Sequence, residues 1–178
     1  MILEINSIEQ AVNALDTIKK YLESNIKSIV SPRIGKPFYI DLGLPSGKKW
    51  SVVNQIGYYN HEEALRIFGK MLPTHEDWKE LCEHCKAAYD EKSNSMVFTG
   101  PNKAQLAFPL DGYVNSFSNE ITNKSKEGVY WSQDTYKNIN EDAICIEMNP
   151  LSDNGFYIDA YSKTMKFCVR LIQNNKKH

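Results

Sequence analysis

From residue 38 onward the chain is built of short runs of four to seven apolar or alternating residues, bounded by Gly, Pro, Asn or Asp. They are Phe38 to Leu42, Trp50 to Val53, Gln105 to Pro109, Val129 to Ser132, Ala143 to Met148, Gly155 to Ile158 and Lys166 to Ile172. Runs this short, bounded in this way, are the pattern of strands and turns and not of a helical bundle. Two helical segments stand between them. Glu62 to Phe68 places Ala64, Leu65 and Phe68 on one face. In the second, Thr74 is an N-cap with Asp77 at N3, and Trp78, Leu81, Cys82 and Cys85 follow at helical spacing. Helices early, strands late and long Asn- and Ser-rich loops between them predict an α+β domain over 38–172.

The first thirty residues obey a different period. Ile5, Ile8, Val12, Leu15, Lys19, Leu22, Ile26 and Ile29 alternate at spacings of three and four, the a and d positions of four heptads. Ser7 with Gln10 forms a capping box, and Pro32 with Gly35 ends the pattern. Residues 1–31 are therefore expected to be an oligomerising coiled-coil helix, 32–37 a linker and 173–178 a polar tail. Isoleucine at both a and d favours three strands, whereas Val12 with Leu15 suits two. Lys19 would weaken the seam while fixing its register. Homotrimer and homodimer both remain open.

Charge and length narrow the functional classes. In 178 residues, 21 Lys and Arg balance 22 Asp and Glu, which gives a net charge of −1 and a pI near 6.4. Gripping nucleic acid depends on surplus Lys and Arg against phosphates, so no nucleic-acid partner is expected. No apolar stretch reaches the 18 residues of a membrane span, and no membrane insertion is expected. The opening MILEINSIEQ has neither a basic nor an unbroken apolar region. The chain is expected to be made in a cytoplasm without a secretory leader.

Candidate chemistry mostly fails on spacing. Gly43-Leu-Pro-Ser-Gly47-Lys48-Lys49 has one residue too few for a phosphate loop, and Lys49 stands where the Ser or Thr for magnesium belongs. It reads as a tight turn between two strands. Cys82-Glu-His-Cys85 lacks the second knuckle of a zinc site and lies on an apolar helical stripe. Its cysteines read as buried thiols, with a disulfide to Cys145 or Cys168 left open. His61, His75, His84 and His178 form no evident triad with a nucleophile, and no Gly-x-Ser-x-Gly elbow occurs. Asp134, Asp142, Asp153, Asn154 and Asp159 are hard oxygen ligands, but no EF-hand spacing organises them. No catalytic residue, metal or cofactor is expected, and calcium stays open.

The aromatic content points elsewhere. Tyr113, Phe117, Tyr130, Trp131, Tyr136, Phe156, Tyr157 and Tyr161 are interleaved with Asn, Ser and Asp. Tyrosine among small polar residues on loops is the composition of recognition surfaces, and aromatic faces beside amides suit sugar rings. The ligand-binding candidates are Tyr136, Asn138, Asp153, Asn154, Phe156, Tyr157 and Tyr161, all expected on late loops. Trp131, in a short apolar run, is expected to be buried.

Five motifs in order carry a family resemblance. Tyr39-Ile-Asp-Leu-Gly-Leu-Pro-Ser-Gly-Lys-Lys-Trp50 resembles the opening strand and turn of the Fibrobacter succinogenes major paralogous domain family. Leu72-Pro-Thr-His-Glu-Asp-Trp78-Lys-Glu-Leu81 is similar to its helix entry, and Leu106-Ala-Phe-Pro-Leu-Asp-Gly-Tyr113 to its next strand. Gly128-Val-Tyr-Trp-Ser132 and Phe167-Cys-Val-Arg170 resemble its last two motifs. The resemblance implies a C-type-lectin-like fold, with a helix pair, a small twisted and mostly antiparallel sheet and long loops. It also implies a binding domain and not a catalyst. The chain departs from the pattern in having Cys168 before Val169 and not a cysteine after Arg170, and it lacks the calcium-and-sugar triplets of animal lectins.

A lectin-like head, an oligomerising helix and no leader together lead to the expectation of a bacteriophage fibre or spike subunit. It would be made in the host cytoplasm and carried on the virion surface. Its expected partners are other copies of itself, other virion proteins through the N-terminal region, and a host-surface glycan or protein. A ligand-free decoration or cap protein and a bacterial cell-surface adhesin are the alternatives. A small hydrolase would need a compact nucleophile, His and acid site that the residues do not supply.

Overall fold

The computed structural model describes residues 38–174. The heptad positions Ile5, Ile8, Val12, Leu15, Lys19, Leu22, Ile26 and Ile29 lie outside the described residues, as does the tail from 175. The described domain is mixed α+β, with two helices and several small antiparallel sheets. Among the described residues no helix is long and apolar enough to cross a membrane.

Strands β1 (Tyr39–Asp41) and β2 (Lys49–Ser51) flank the Gly43–Gly47 turn, where the Gly47 amide donates to the Leu44 carbonyl at 2.9 Å. The segment is a strand-to-strand turn, as its spacing predicts. Helix α1 (His61–Phe68) begins at a capping box of Asn60 and Glu63. Helix α2 (His75–His84) begins at the capping box of Thr74 and Asp77 read from the sequence. Its stripe turns Trp78 and Leu81 inward, and Cys85 caps the C-terminus. The hairpin β3 (Lys86–Asp90) and β4 (Ser95–Thr99) continues into β5 (Gln105–Pro109) as one sheet. A two-residue ladder joins β6 (Tyr113–Val114) to β7 (Ile121–Thr122).

The largest sheet contains β8 (Gly128–Thr135), β9 (Asp142–Met148) and β10 (Phe156–Ser162), in the order β10-β9-β8. It divides two cores, because successive strand residues point to opposite faces. Tyr130, Ile146, Met148, Phe156 and Ile158 join Trp50, Trp78, Phe98 and Phe108 on one side. Val129, Trp131, Ala143, Cys145 and Tyr161 join Ala64, Phe167 and Val169 on the other. Packing on both faces accounts for the near-continuous apolar run of Ala143 to Met148. Trp131 is fully buried, as expected, and its indole nitrogen donates to the Tyr59 carbonyl at 2.7 Å.

The run Lys166 to Ile172 is not the single closing strand its pattern suggests. Only β11 (Ile172–Gln173) forms a ladder, placed on the far side of β2 from β1. The residues before it are extended but change partners: Lys166 with Val114, Phe167 with Tyr59, Cys168 with Val129 and Trp131, Leu171 with Ser51. The segment runs between elements and ties them together, so no single neighbour pairs its whole length. Gln173, expected to open the polar tail, is the last residue of this sheet and pairs with Lys49.

Candidate functional site

The expected binding residues do not form one site. Tyr136 and Asn138 lie in the β8–β9 loop, where the Asn138 amide donates to the Tyr136 hydroxyl at 3.3 Å. Asp153 and Asn154 are exposed in the β9–β10 turn. In an antiparallel sheet these two connections are at opposite ends of β9, about 20 Å apart at 3.3 Å per residue. Phe156, Tyr157 and Tyr161 are on strand β10 and not on a loop. The strand run expected at Gly155 to Ile158 extends through Ser162 and carries all three. Phe156 faces the first core and packs on Phe98, with ring centres 5.4 Å apart. Tyr157 and Tyr161 project from the opposite face and are brought together.

Tyr157 and Tyr161 line a cavity of about 240 Å³ that sequence reasoning did not anticipate. Glu147 enters from β9, directly across from Tyr157 in the ladder. Tyr113 comes from β6, and Asn123 and Glu127 from the turn before β8. Phe167 stands at the base, with the planes of Tyr113 and Tyr161 at 83° and 87° to it. Trp131 packs against Phe167 at 4.2 Å. The base and both walls are therefore fixed by core packing.

Local chain geometry sets the acidic side. Gly112 adopts a φ of +73°, where a Cβ would strike the Thr122 carbonyl oxygen, so glycine is required for β6 to enter beside β7. That entry brings Tyr113 opposite Thr122 and next to Asn123. The Asn123 amide donates to Glu127 Oε1 at 2.7 Å, and the Glu127 carbonyl accepts from the Gly112 amide at 2.7 Å. Glu147 is only 3% exposed. Its two oxygens accept from the Asn149 amide at 3.2 Å and the Tyr161 hydroxyl at 3.1 Å.

Electrostatics follow from this crowding. Burial raises the Glu127 pKa, and the neighbouring Glu147 raises it further against the Asn123 hydrogen bond. Burial and then Glu147 push the Tyr157 and Tyr161 phenols upward. Among the described residues the salt bridges are Lys48 with Asp77 and Lys79 with Glu76, both away from the cavity. Among the described residues, Glu127 and Glu147 thus form a carboxyl pair close enough to share a proton, whose other side-chain partners are neutral. The signal for this site was in the sequence: Glu147 is an acidic residue inside the apolar run Ala-Ile-Cys-Ile-Glu-Met.

A second, wider concavity of about 600 Å³ lies at the β8–β9 end, lined by His75, Asp134, Tyr136 and Asn138. Asp134 Oδ2 accepts from the His75 amide at 2.5 Å, so a carboxylate already occupies the start of α2.

The cysteines and His61 are largely withdrawn into the fold. All four cysteines carry free thiols. Burial pushes Cys82 to about 12, Cys85 to about 11 and Cys168 to about 12, and raises Cys145 strongly. His61 is buried with Nε2 3.1 Å from the Ser132 carbonyl oxygen, and desolvation lowers its pKa. Among the described residues no three His, Cys, Asp or Glu side chains converge to hold a metal ion.

The fold and this cavity define a mixed α+β domain with an acidic, tyrosine-walled recess. No protein-family model matches the chain, and comparison with curated proteins and with solved structures finds no match either.

Proposed function

We propose that residues 38–172 are a non-enzymatic, C-type-lectin-like binding head that attaches to a host surface. In this reading residues 1–31 form the coiled coil that joins copies of the chain in a phage fibre or spike. The observation that carries the binding role is the cavity shared by Tyr157, Tyr161 and Glu147. It has aromatic walls, fixed polar groups and a rigid base, the features of a preformed ligand recess. Thiols whose pKa burial raises and a His61 buried against the Ser132 carbonyl favour recognition over nucleophilic catalysis. The fibre placement rests on the heptad positions and the five ordered motifs. Several weak heads on one stalk would gain avidity through effective concentrations of roughly millimolar order.

The test applies the full chain to a panel of bacterial cells and to a glycan array. Wild type is expected to bind, and Tyr157→Ala to lose at least tenfold in adsorption. A blank array together with unchanged adsorption of Tyr157→Ala overturns the proposal.

A further inference from the structure

Building on the binding role proposed above, we infer that the cavity between β6, β9 and β10 receives an alkylammonium group, held by the Glu127–Glu147 pair within the rings of Tyr113, Tyr157, Tyr161 and Phe167. Three independent observations lead there.

The first is a carboxyl pair without a cationic partner among the described residues. Glu147 is buried to 3% exposure, yet its hydrogen-bond partners are the neutral Asn149 and Tyr161. Glu127 stands beside it, close enough to share a proton with it, and accepts from the neutral Asn123. A buried carboxylate is costly without a positive partner, and a second carboxylate alongside increases the cost. Neither makes a salt bridge with a lysine or arginine among the described residues. A cation entering from outside supplies what the fold leaves out.

The second is the wall chemistry. Aromatic faces attract cations through the ring quadrupole, and aromatic cages with acidic edges are suited to ammonium groups. Tyr113 and Tyr161 stand nearly perpendicular to Phe167, and all three rings line the cavity together with Tyr157. A neutral sugar ring would use the aromatic faces but would leave both carboxylates without a counter-charge.

The third is size and ligand count. At about 240 Å³ the cavity falls below the roughly 300–1,000 Å³ of drug-sized sites, so it admits one headgroup and not an oligosaccharide. Calcium would need six to eight oxygens, and among the described residues no third carboxylate, histidine or cysteine joins the two carboxylates. The geometry suits an organic cation better than a hard metal ion.

The experiment titrates full-length protein with choline and with ethanolamine, using 3,3-dimethylbutan-1-ol as the neutral isostere of choline and calcium chloride as a separate arm. Calorimetry and tyrosine fluorescence are read together. At least one amine is expected to bind with the isostere at least tenfold weaker, and Glu147→Gln to weaken that amine at least tenfold. If Glu147→Gln does not fold, Tyr157→Leu removes an exposed wall and should give the same loss. Equal binding of the neutral alcohol, no binding of either amine, or calcium binding abolished by Glu147→Gln overturns the inference. Cell adsorption separates the two proposals. If Tyr157→Leu abolishes adsorption while neither amine binds, the head still binds through this cavity but not by an ammonium group. If adsorption is unchanged as well, both proposals fall.

Discussion

Arg170 places its guanidinium carbon 4.7 Å from the centre of the Phe108 ring, in the middle of the first core. Its two terminal nitrogens donate to the carbonyls of Ser51 and Ala107, each at 2.8 Å. One fully buried side chain therefore links β2, β5 and the closing segment. A planar fork with several fixed donors can reach both carbonyls while stacking on an aromatic face, which an ammonium cannot do.

Replacing Arg170 should therefore be severe. Arg170→Ala leaves one buried and one part-buried carbonyl without this donor and opens a void, at a cost of about 3–5 kcal/mol. Arg170→Lys should recover less than half of that loss. Urea unfolding measures both, and a lysine variant as stable as wild type would refute the two-carbonyl account.

Gly112→Ala tests whether the chain path builds the cavity. The new Cβ meets the Thr122 carbonyl oxygen at a φ of +73°. The β6–β7 ladder should separate and displace Tyr113, with a loss of about 1–3 kcal/mol from strain at this conformation. Amide exchange should speed at Tyr113 and Val114 while β9 stays protected.

Glu127 makes stability depend on pH in a defined direction. Its folded pKa is raised by burial and by Glu147, so the folded state holds this proton more tightly than the unfolded chain. Stability from this group is full below the ordinary carboxylate value near 4.5 and is lost as pH rises through the higher folded value. Glu127→Gln should raise the melting temperature at pH 7, and the gain should vanish near pH 4. A gain that persists at pH 4 would place the effect in packing and not in charge.

The coiled-coil proposal has its own test. Ile8→Asp with Leu22→Asp puts charges on two heptad positions and should reduce an oligomer to monomer by light scattering. An unchanged oligomer would remove the N-terminal stalk from the model of the assembly.

Where sequence and structure agree, the signals were local. Gln105 to Pro109 is a strand with the bounds its pattern shows, and Thr74 with Asp77 starts α2 because a cap needs only neighbours three residues apart. The β3–β4 hairpin was missed because Lys86-Ala-Ala-Tyr-Asp90 lacks alternation, and its turn depends on Asn94 adopting a φ of +48°. The site was only half legible. Tyr157 and Tyr161 stood out by type, but the side to which each β10 residue points depends on its pairing with β9. Tyr113, Glu127 and Asn149 belong to the cavity only through contacts between segments distant in sequence.

The first and last strands of the described domain flank the same partner, with Tyr39 opposite Ser51 and Gln173 opposite Lys49. The chain thus enters at one end of β2 and leaves at the other. Tension applied between those two points would pull β1 and β11 in opposite directions along their own axes. All ladder hydrogen bonds would then share the force at once, in shear, instead of opening one after another like a zipper. A load borne between those two points would meet the resistance of the whole three-stranded ladder.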